Sequence, residues 1–218
     1  MRYAVVQLPA ALNQPLVYTS KLVQTLRHSA FAWLGLRPAA AQHTAAEHAA
    51  FGFYATGRSS IVEIGVAEGV SALAVREKME ADGTLYLIDP FHLSRVPALN
   101  FIQRTALRVV GSCPRGQVVW MQQFSSDAAK NWNRPIDLLV IDGDHAEAAV
   151  QDDWETWSRF VVPGGLVMFH DANLFAGGWT TPDFGPLRVV NRLFRSGQNS
   201  PWKIVNEIDS IVVVQREA

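Results

Sequence analysis

From residue 60 onward, short β-rich runs alternate with segments of helical length, and this alternation limits the chain to few folds. Such a pattern indicates a parallel sheet with helices on both faces. Near-continuous apolar runs such as residues 136–141 suit strands that are buried on both sides. The runs occupy residues 61–64, 85–88, 118–121, 136–141 and 166–169, and the helical candidates lie near 70–81, 95–110, 126–132 and 146–160.

The end of the chain departs from this alternation. Two β-rich runs, residues 202–205 and 211–214, are separated only by residues 206–210. That connection is too short for a helical crossover, so the two strands should pair antiparallel. The sequence therefore predicts an α/β fold: a doubly wound, Rossmann-like, mostly parallel seven-stranded sheet with a C-terminal antiparallel hairpin.

The N-terminal part of the chain follows a different pattern. Residues 16–36 and 43–57 carry apolar side chains at helical spacing and contain no strand-like run. We interpret residues 1–57 as an N-terminal helical extension and residues 58–218 as the main domain. The extension is expected to cap a cleft of that domain, to form a homodimer interface, or both.

Composition excludes several classes of protein. With 218 residues, 18% of them charged and a formal net charge of −1, the chain is neither disordered nor covered by a nucleic-acid-binding surface. Its only cysteine, Cys113, excludes an intrachain disulfide and any multi-cysteine metal site. No apolar run is long enough for a signal peptide or a membrane span. We therefore expect a cytoplasmic protein with neither nucleic acid nor membrane as partner.

A glycine loop follows the first predicted strand. Gly65 and Gly69 lie in this loop, and Ser71 falls in the first turn of the next helix. Glycine allows a ligand to approach the backbone, and a helix N-terminus offers N–H groups to an anion. A plain strand–helix turn would explain the same glycines. The dinucleotide pattern G-x-G-x-x-G is absent, because Ala67 and Val70 occupy two of its positions.

An acidic residue ends the second predicted strand. Asp89 lies about 20 residues beyond the glycine loop, where a carboxylate accepts hydrogen bonds from the two hydroxyls of a ribose. A loop carboxylate before Pro90 is the structural alternative. The combination with the glycine loop favours a nucleotide-containing ligand.

Polar side chains also follow the fourth and fifth predicted strands. Asp142 ends the fourth strand, His170 and Asp171 end the fifth, and His145 opens the helix after the fourth. Ligands bind beyond the carboxyl ends of such strands, so these side chains should lie together. Asp142, His170 and Asp171 together could hold a divalent metal, and a mixed His/Asp set also suits Mn²⁺, Fe²⁺ or Zn²⁺. Helix capping and bonds to loop amides are the structural alternative.

These motifs together resemble the class I S-adenosylmethionine (SAM)-dependent methyltransferases. The resemblance rests on Glu63-x-Gly65-x-x-x-Gly69-x-Ser71, on Asp89, and on the stretches 136–145 and 163–171. It is closest to the small-molecule O-methyltransferases similar to catechol O-methyltransferase and to bacterial natural-product and sugar O-methyltransferases. It covers about residues 58–215. It implies SAM as cofactor and a small hydroxylated molecule as acceptor.

The resemblance also implies roles for single residues in cofactor binding. Glu63, Gly65 and Gly69 would shape the loop, Ser71 would bind the methionine carboxylate, and Asp89 would bind the ribose.

Further cofactor contacts are implied along the same edge. Phe91, with His92 beside it, would lie near the ribose, and Ser125 or Ser126 would contact the adenine. Asp142 would lie at the cofactor's edge.

Catalytic roles are implied for the histidines. Related enzymes hold Mg²⁺ in a strand-end cluster, which here would be Asp142, His170 and Asp171, with Mg²⁺ or Mn²⁺ as the metal. His170 departs from the usual acidic pair. A histidine with a pKa near neutral suits proton removal from the acceptor. We predict His145 as the general base and His170 as the second choice.

A long loop, residues 172–186, leads away from this predicted edge with glycines and large aromatic side chains. We interpret it as a substrate lid, with a structural loop as the alternative. Two other functions remain open from the sequence: an NAD(P)-dependent oxidoreductase, because Asp89 suits any ribose, and a non-catalytic cofactor-binding or assembly module.

Overall fold

A computed structural model describes residues 27–91, 100–196 and 200–217. Residues 27–33 are helical, and six further α-helices and seven strands follow in the described part of the chain. The helices are α1 Ala45–Ala55, α2 Val70–Lys78, α3 Phe101–Gly111, α4 Ser125–Ala129, α5 Glu147–Trp157 and α6 Gly185–Val190. The strands are β1 Ser60–Ile64, β2 Thr84–Ile88, β3 Gln117–Met121, β4 Ile136–Ile141, β5 Val161–Phe169, β6 Trp202–Ile208 and β7 Ile211–Arg216.

The seven strands form one sheet in the order β3-β2-β1-β4-β5-β7-β6. Strands β1 to β5 are parallel to one another. Strand β7 pairs antiparallel with β5, and β6 pairs antiparallel with β7. The predicted fold class is therefore confirmed. The strand order reverses between β1 and β4: β2 and β3 are added on one side of β1, and β4 and β5 on the other. Ligands of such folds bind at this point.

Apolar side chains cover both faces of the sheet. One face packs Phe51 of α1 and Val75 of α2 against alternate residues of the central strands. The other face buries Trp154 and Trp157 of α5 against the sheet. Because β1 and β4 are buried on both faces, polar side chains such as Asp142 lie at the strand ends, and Glu63 is the buried exception within β1.

The structure changes some of the predicted boundaries. Strand β5 begins at Val161 rather than at residue 166, with an irregularity in its pairing with β4. The hairpin strands are longer than predicted and are joined by Asp209 and Ser210 alone, because Asp209 adopts a positive φ of 47°. Residues 16–26 and 95–99 of the predicted helices lie outside the described residues.

The start of helix α1 is hydrogen-bonded to the turn between β6 and β7. Thr44 caps it, and a capping box joins Thr44 to Glu47. The Thr44 hydroxyl donates to Asp209 Oδ2 at 2.6 Å, and Glu47 Oε1 accepts from the amide and the hydroxyl of Ser210 at 2.8 and 2.6 Å. The N-terminal extension is thus anchored to the β6–β7 turn. None of the helices described is long and apolar enough to cross a membrane.

Candidate active site

The glycine loop between β1 and α2 packs tightly against the end of β4. Gly65 has a φ of +85°, and a Cβ there would lie 2.0 Å from the carbonyl oxygen of Asp142. Gly69, with a φ of +83°, packs against Ala106 and Val110 of α3. Both glycines are therefore required by the packing of the loop itself, whatever ligand it contacts.

Gly65→Ala should cost much more stability than an alanine at a glycine with open space. Gly57 has a similar φ of +74° but no atom within 4 Å of its missing Cβ. Gly57→Ala should therefore cost only the backbone strain, about 1–2 kcal/mol. Gly65→Ala adds a backbone clash and should cost roughly 1–3 kcal/mol more. Urea unfolding of both variants measures the difference, and equal losses would contradict this account of Gly65.

Asp89 holds the glycine loop in place at the end of β2. Its Oδ2 accepts from the amides of Val66 and Ala67 at 2.9 and 3.1 Å, and its Oδ1 accepts from the amide of Phe91 at 2.7 Å. A carboxylate has about four acceptor positions, so these three bonds leave room for a ligand hydroxyl.

Glu63 lies beneath the loop and is fully buried. The Ser71 hydroxyl donates to Glu63 Oε1 at 2.6 Å. Burial raises the pKa of Glu63 to about 8, although the bond from Ser71 opposes the shift. Glu63 is therefore a neutral acid that supports Ser71 from inside. Ser71 itself lines the cavity described below, at the first turn of α2.

His170 lies among three carboxylates behind the strand ends. Its Nδ1 is 3.0 Å from Asp142 Oδ1 and 3.6 Å from Asp171 Oδ1, and its Nε2 is 3.7 Å from Glu47 Oε2. These contacts are ion pairs rather than well-aligned hydrogen bonds. Burial alone would lower the pKa of His170, but the three carboxylates outweigh it and raise the pKa to about 10.

The structure does not support His170 as a general base. Its side chain is 3% exposed and does not line the cavity, and at neutral pH it already carries its proton. A buried imidazolium cannot accept a proton from a substrate. Its charge instead compensates the buried carboxylates around it.

His145 lies on the cavity wall beside Asp171. Its Nε2 lies 2.9 Å from Asp171 Oδ2, and its side chain is half-exposed on the cavity wall. The bond to Asp171 raises the pKa of His145 above its ordinary value, although burial opposes the shift. Burial would raise the pKa of Asp171, but His145, His170 and Trp179 together hold it low. The pair is thus a histidine oriented by an ionised carboxylate.

One cavity of about 590 Å³ brings most of these residues together. It lies at the carboxyl ends of β1, β2 and β4, where the sheet reverses direction. The predicted residues on its wall are Gly65, Gly69, Ser71, Asp89, Ser125, Ser126, Asp142 and His145.

Residues 62–172 match a family model described as a methyltransferase domain, and this match spans half of the chain. The chain belongs to this methyltransferase family. The matched region begins in β1 and ends just beyond Asp171, so it includes the glycine loop and both strand ends that carry the cluster. Membership favours the methyltransferase interpretation over the oxidoreductase that Asp89 left open.

Solved structures share the fold of this methyltransferase at low sequence identity. The O-methyltransferase TomG from Streptomyces achromogenes, involved in tomaymycin synthesis and solved with SAM, is 17% identical with a TM-score of 0.63 over 93% of this chain and 95% of that one. An O-methyltransferase from Bacillus cereus, solved with S-adenosylhomocysteine (SAH), is 15% identical with a TM-score of 0.54 over 94% and 93%. An rRNA methylase from Streptococcus thermophilus is 11% identical with a TM-score of 0.53 over 79% and 95%.

Some residues predicted for cofactor binding lie off the cavity wall of the methyltransferase. Phe91 is buried in the core beside Trp120, so only its amide faces Asp89. His92 lies outside the described residues. Ser125 and Ser126 both line the cavity, and Ser125 already donates its hydroxyl to Asp153. Ser126 is therefore the freer of the two serines for a ligand.

The sequence predicted that the N-terminal extension caps a cleft or forms a dimer interface, but not which of its residues reach the cavity. Ala40, Gln42 and His43 line the cavity from this segment. Glu68 of the glycine loop holds the segment, because its Oε2 accepts from the amide of Ala40 at 2.6 Å and its Oε1 from the Ser29 hydroxyl at 2.5 Å. Burial and the neighbouring His48 lower the pKa of His43, so this cavity histidine is neutral at neutral pH. No local pattern in the sequence marks these contacts.

The predicted metal ligands do not fit a divalent ion. In the part of the chain that the structure describes, no group of three His, Cys, Asp or Glu side chains could hold a metal. Both ring nitrogens of His170 face carboxylates, and an imidazolium has no free lone pair to offer. Asp171 is occupied by His145 and Trp179.

Proposed function

We propose that this methyltransferase binds SAM in the 590 Å³ cavity and transfers the methyl group to a hydroxyl of a small molecule. The observation that carries the proposal is the position of His145. The same cavity wall presents a carboxylate-oriented base and the predicted cofactor residues Asp89 and Ser71. Cofactor and base thus meet in one site of suitable size.

The cavity residues fit the parts of the cofactor. Asp89 would accept the ribose hydroxyls, the start of α2 would bind the methionine carboxylate through its N–H groups, and Ser126 would contact the adenine. The presence of SAM in TomG and of SAH in the Bacillus cereus enzyme supports the choice of cofactor.

His145 would act by removing the acceptor's proton. When bound, SAM would supply a methyl group on a sulfonium to the acceptor oxygen, with SAH as the leaving group. The His145 Nε2–H donates to Asp171, which leaves the Nδ1 lone pair for the hydroxyl proton. Asp171 stabilises the imidazolium that results. Holding the acceptor in line with the methyl group would lower the activation barrier by several kcal/mol more, because the translational and rotational entropy is already lost on binding.

The charge of the chain and of the cavity wall supports a small molecule as the acceptor. The chain has a net charge of −1, and the cavity wall carries Asp142, Asp144, Asp152 and Asp153. Such a site repels a polyanion, so a small neutral or cationic hydroxylated molecule suits it better than a nucleic acid.

Incubation with SAM labelled in the methyl group tests the proposal. We expect label in the methyl ether of one class within a panel of phenols, sugars and polyketides, and the His145→Ala variant should lose it. Ribosomal RNA and amine analogues of the same acceptors serve as controls. Label in the RNA or the amines, with none in the hydroxylated compounds, would overturn the choice of acceptor.

Activity should rise with pH through a midpoint above 6.5. The base acts only when neutral, and Asp171 raises the pKa of His145, so a higher pH is needed to remove its proton. In Asp171→Asn the midpoint should fall back towards 6.5, together with kcat. A pH profile of kcat/KM for both proteins measures the shift, and an unchanged midpoint would exclude Asp171 as the partner of the base.

A further inference from the structure

The loop of residues 172–184 begins and ends at the His145–Asp171 pair. It starts directly after Asp171, whose backbone has a positive φ of 55°. It ends at Gly185, where a Cβ would lie 2.3 Å from the carbonyl oxygen of His145. The ring of Phe184 lies 6.1 Å from the His145 ring. Both members of the pair are therefore in contact with this loop.

Trp179, in the middle of the loop, reaches back to Asp171. Its indole Nε1–H donates to Asp171 Oδ1 at 2.7 Å, while the other oxygen of Asp171 contacts His145 Nε2 at 2.9 Å. Asp171 is 5% exposed, so each of its oxygens faces a protein donor. Such a shared carboxylate has its orientation fixed from two sides.

The loop holds Trp179 in this position. The ring of Phe175 packs edge-on against the Trp179 ring at 5.2 Å. The Thr180 hydroxyl donates to the carbonyl of Asn173 at 2.7 Å, and the Asn173 amide group donates to the carbonyl of Asp209 at 3.0 Å. A tryptophan that is 44% exposed is thus fixed by contacts on either side of it.

We propose that Trp179 is a positioning residue for methyl transfer. Its indole N–H holds Asp171 Oδ1, so that the other carboxylate oxygen, Oδ2, faces His145. This inference rests on the proposed function. Without the indole bond, only the ion pair with His170 Nδ1 at 3.6 Å would hold Asp171 Oδ1, so Asp171 would orient His145 less well. Through Trp179, the loop therefore contributes to turnover.

A double-mutant cycle tests the inference. Trp179→Phe keeps an aromatic ring but removes the donor, and it should lower kcat about tenfold, which is about 1.4 kcal/mol, with the KM for the acceptor and the SAH affinity within twofold. In an Asp171→Asn background the same change should have no further effect, because Trp179 acts through Asp171. Leu174→Ala, which changes an exposed side chain of the same loop and leaves the indole bond in place, should stay within twofold of wild type. Additive losses, or an equal loss in Leu174→Ala, would overturn the inference.

A second readout needs no turnover. His145 faces Asp171, Asp142 and His170, and its ring can be titrated by NMR. The midpoint should fall towards 6.5 in Trp179→Phe because Asp171 turns away, and an unchanged or higher midpoint would overturn the positioning role. If this shift is seen but the wild-type protein transfers no methyl group, the proposed function fails and the positioning of His145 stands.

Discussion

The His145→Ala variant is expected to lose about 10²–10⁴-fold in kcat, the usual contribution of a general base. Its affinity for SAH should change by less than threefold. His145 reaches the cavity from two residues before α5, whereas Asp89 and Ser71 reach it from the end of β2 and from α2. Removing the imidazole therefore leaves the predicted cofactor contacts intact. Steady-state kinetics and calorimetry on the same preparation separate the two effects.

His48→Ala is the matched control for this variant. His48 is an exposed histidine on α1 that does not line the cavity. Its replacement should leave kcat within about twofold of wild type. Wild-type turnover in His145→Ala with the true acceptor would show that another group removes the proton.

Glu47→Gln should cause the largest loss of stability, about 3–5 kcal/mol, as expected when one partner of a buried ion pair is removed. Glu47 is fully buried on α1, where it accepts from Thr44 and Ser210 and faces the imidazolium of His170. Glutamine keeps the size but removes the charge. Urea unfolding at neutral pH measures the change.

Glu77→Gln on α2 provides a comparison, because Glu77 is exposed. Its unfolding free energy should stay within about 0.5 kcal/mol of wild type. A similarly small change for Glu47→Gln would show that the buried charge of Glu47 contributes nothing to folding.

The same ion pairs predict how stability depends on pH. The hydrogen bonds of Glu47 outweigh its burial and lower its pKa to about 2, so its contribution is complete above about 4.5 and is lost as the pH falls towards 2. The pKa of His170 is raised to about 10, so its contribution is complete below about 6.5 and is lost as the pH rises towards 10. The cluster is therefore most stabilising between these two limits.

The sequence predicted the strand-end cluster correctly because its geometry follows from the topology. Ile141 and Phe169 are partners in adjacent parallel strands, so Asp142 and His170 had to emerge side by side. The bonds from the glycine-loop amides to Asp89 have the same origin, because β2 is the parallel neighbour of β1. Where a contact follows from the order of parallel strands, the local sequence is sufficient.

The role of His170 could not be predicted in this way. Its protonation depends on Glu47, a residue of the N-terminal extension that lies far from it in the sequence. The apolar spacing around Glu47 predicts a helix but not its packing partner. A cation held by three carboxylates therefore occupies the place where the spacing alone predicted a metal ligand or a base.

Calorimetric titration with SAH tests the central claim most directly, namely that the cavity between the glycine loop and His145 is the cofactor site. We expect binding to one site per chain. The Asp89→Ala variant should weaken it at least tenfold, which is about 1.4 kcal/mol, whereas Glu77→Gln should bind as the wild type does. No binding of SAH by the folded protein, or equal binding by Asp89→Ala, would contradict the account.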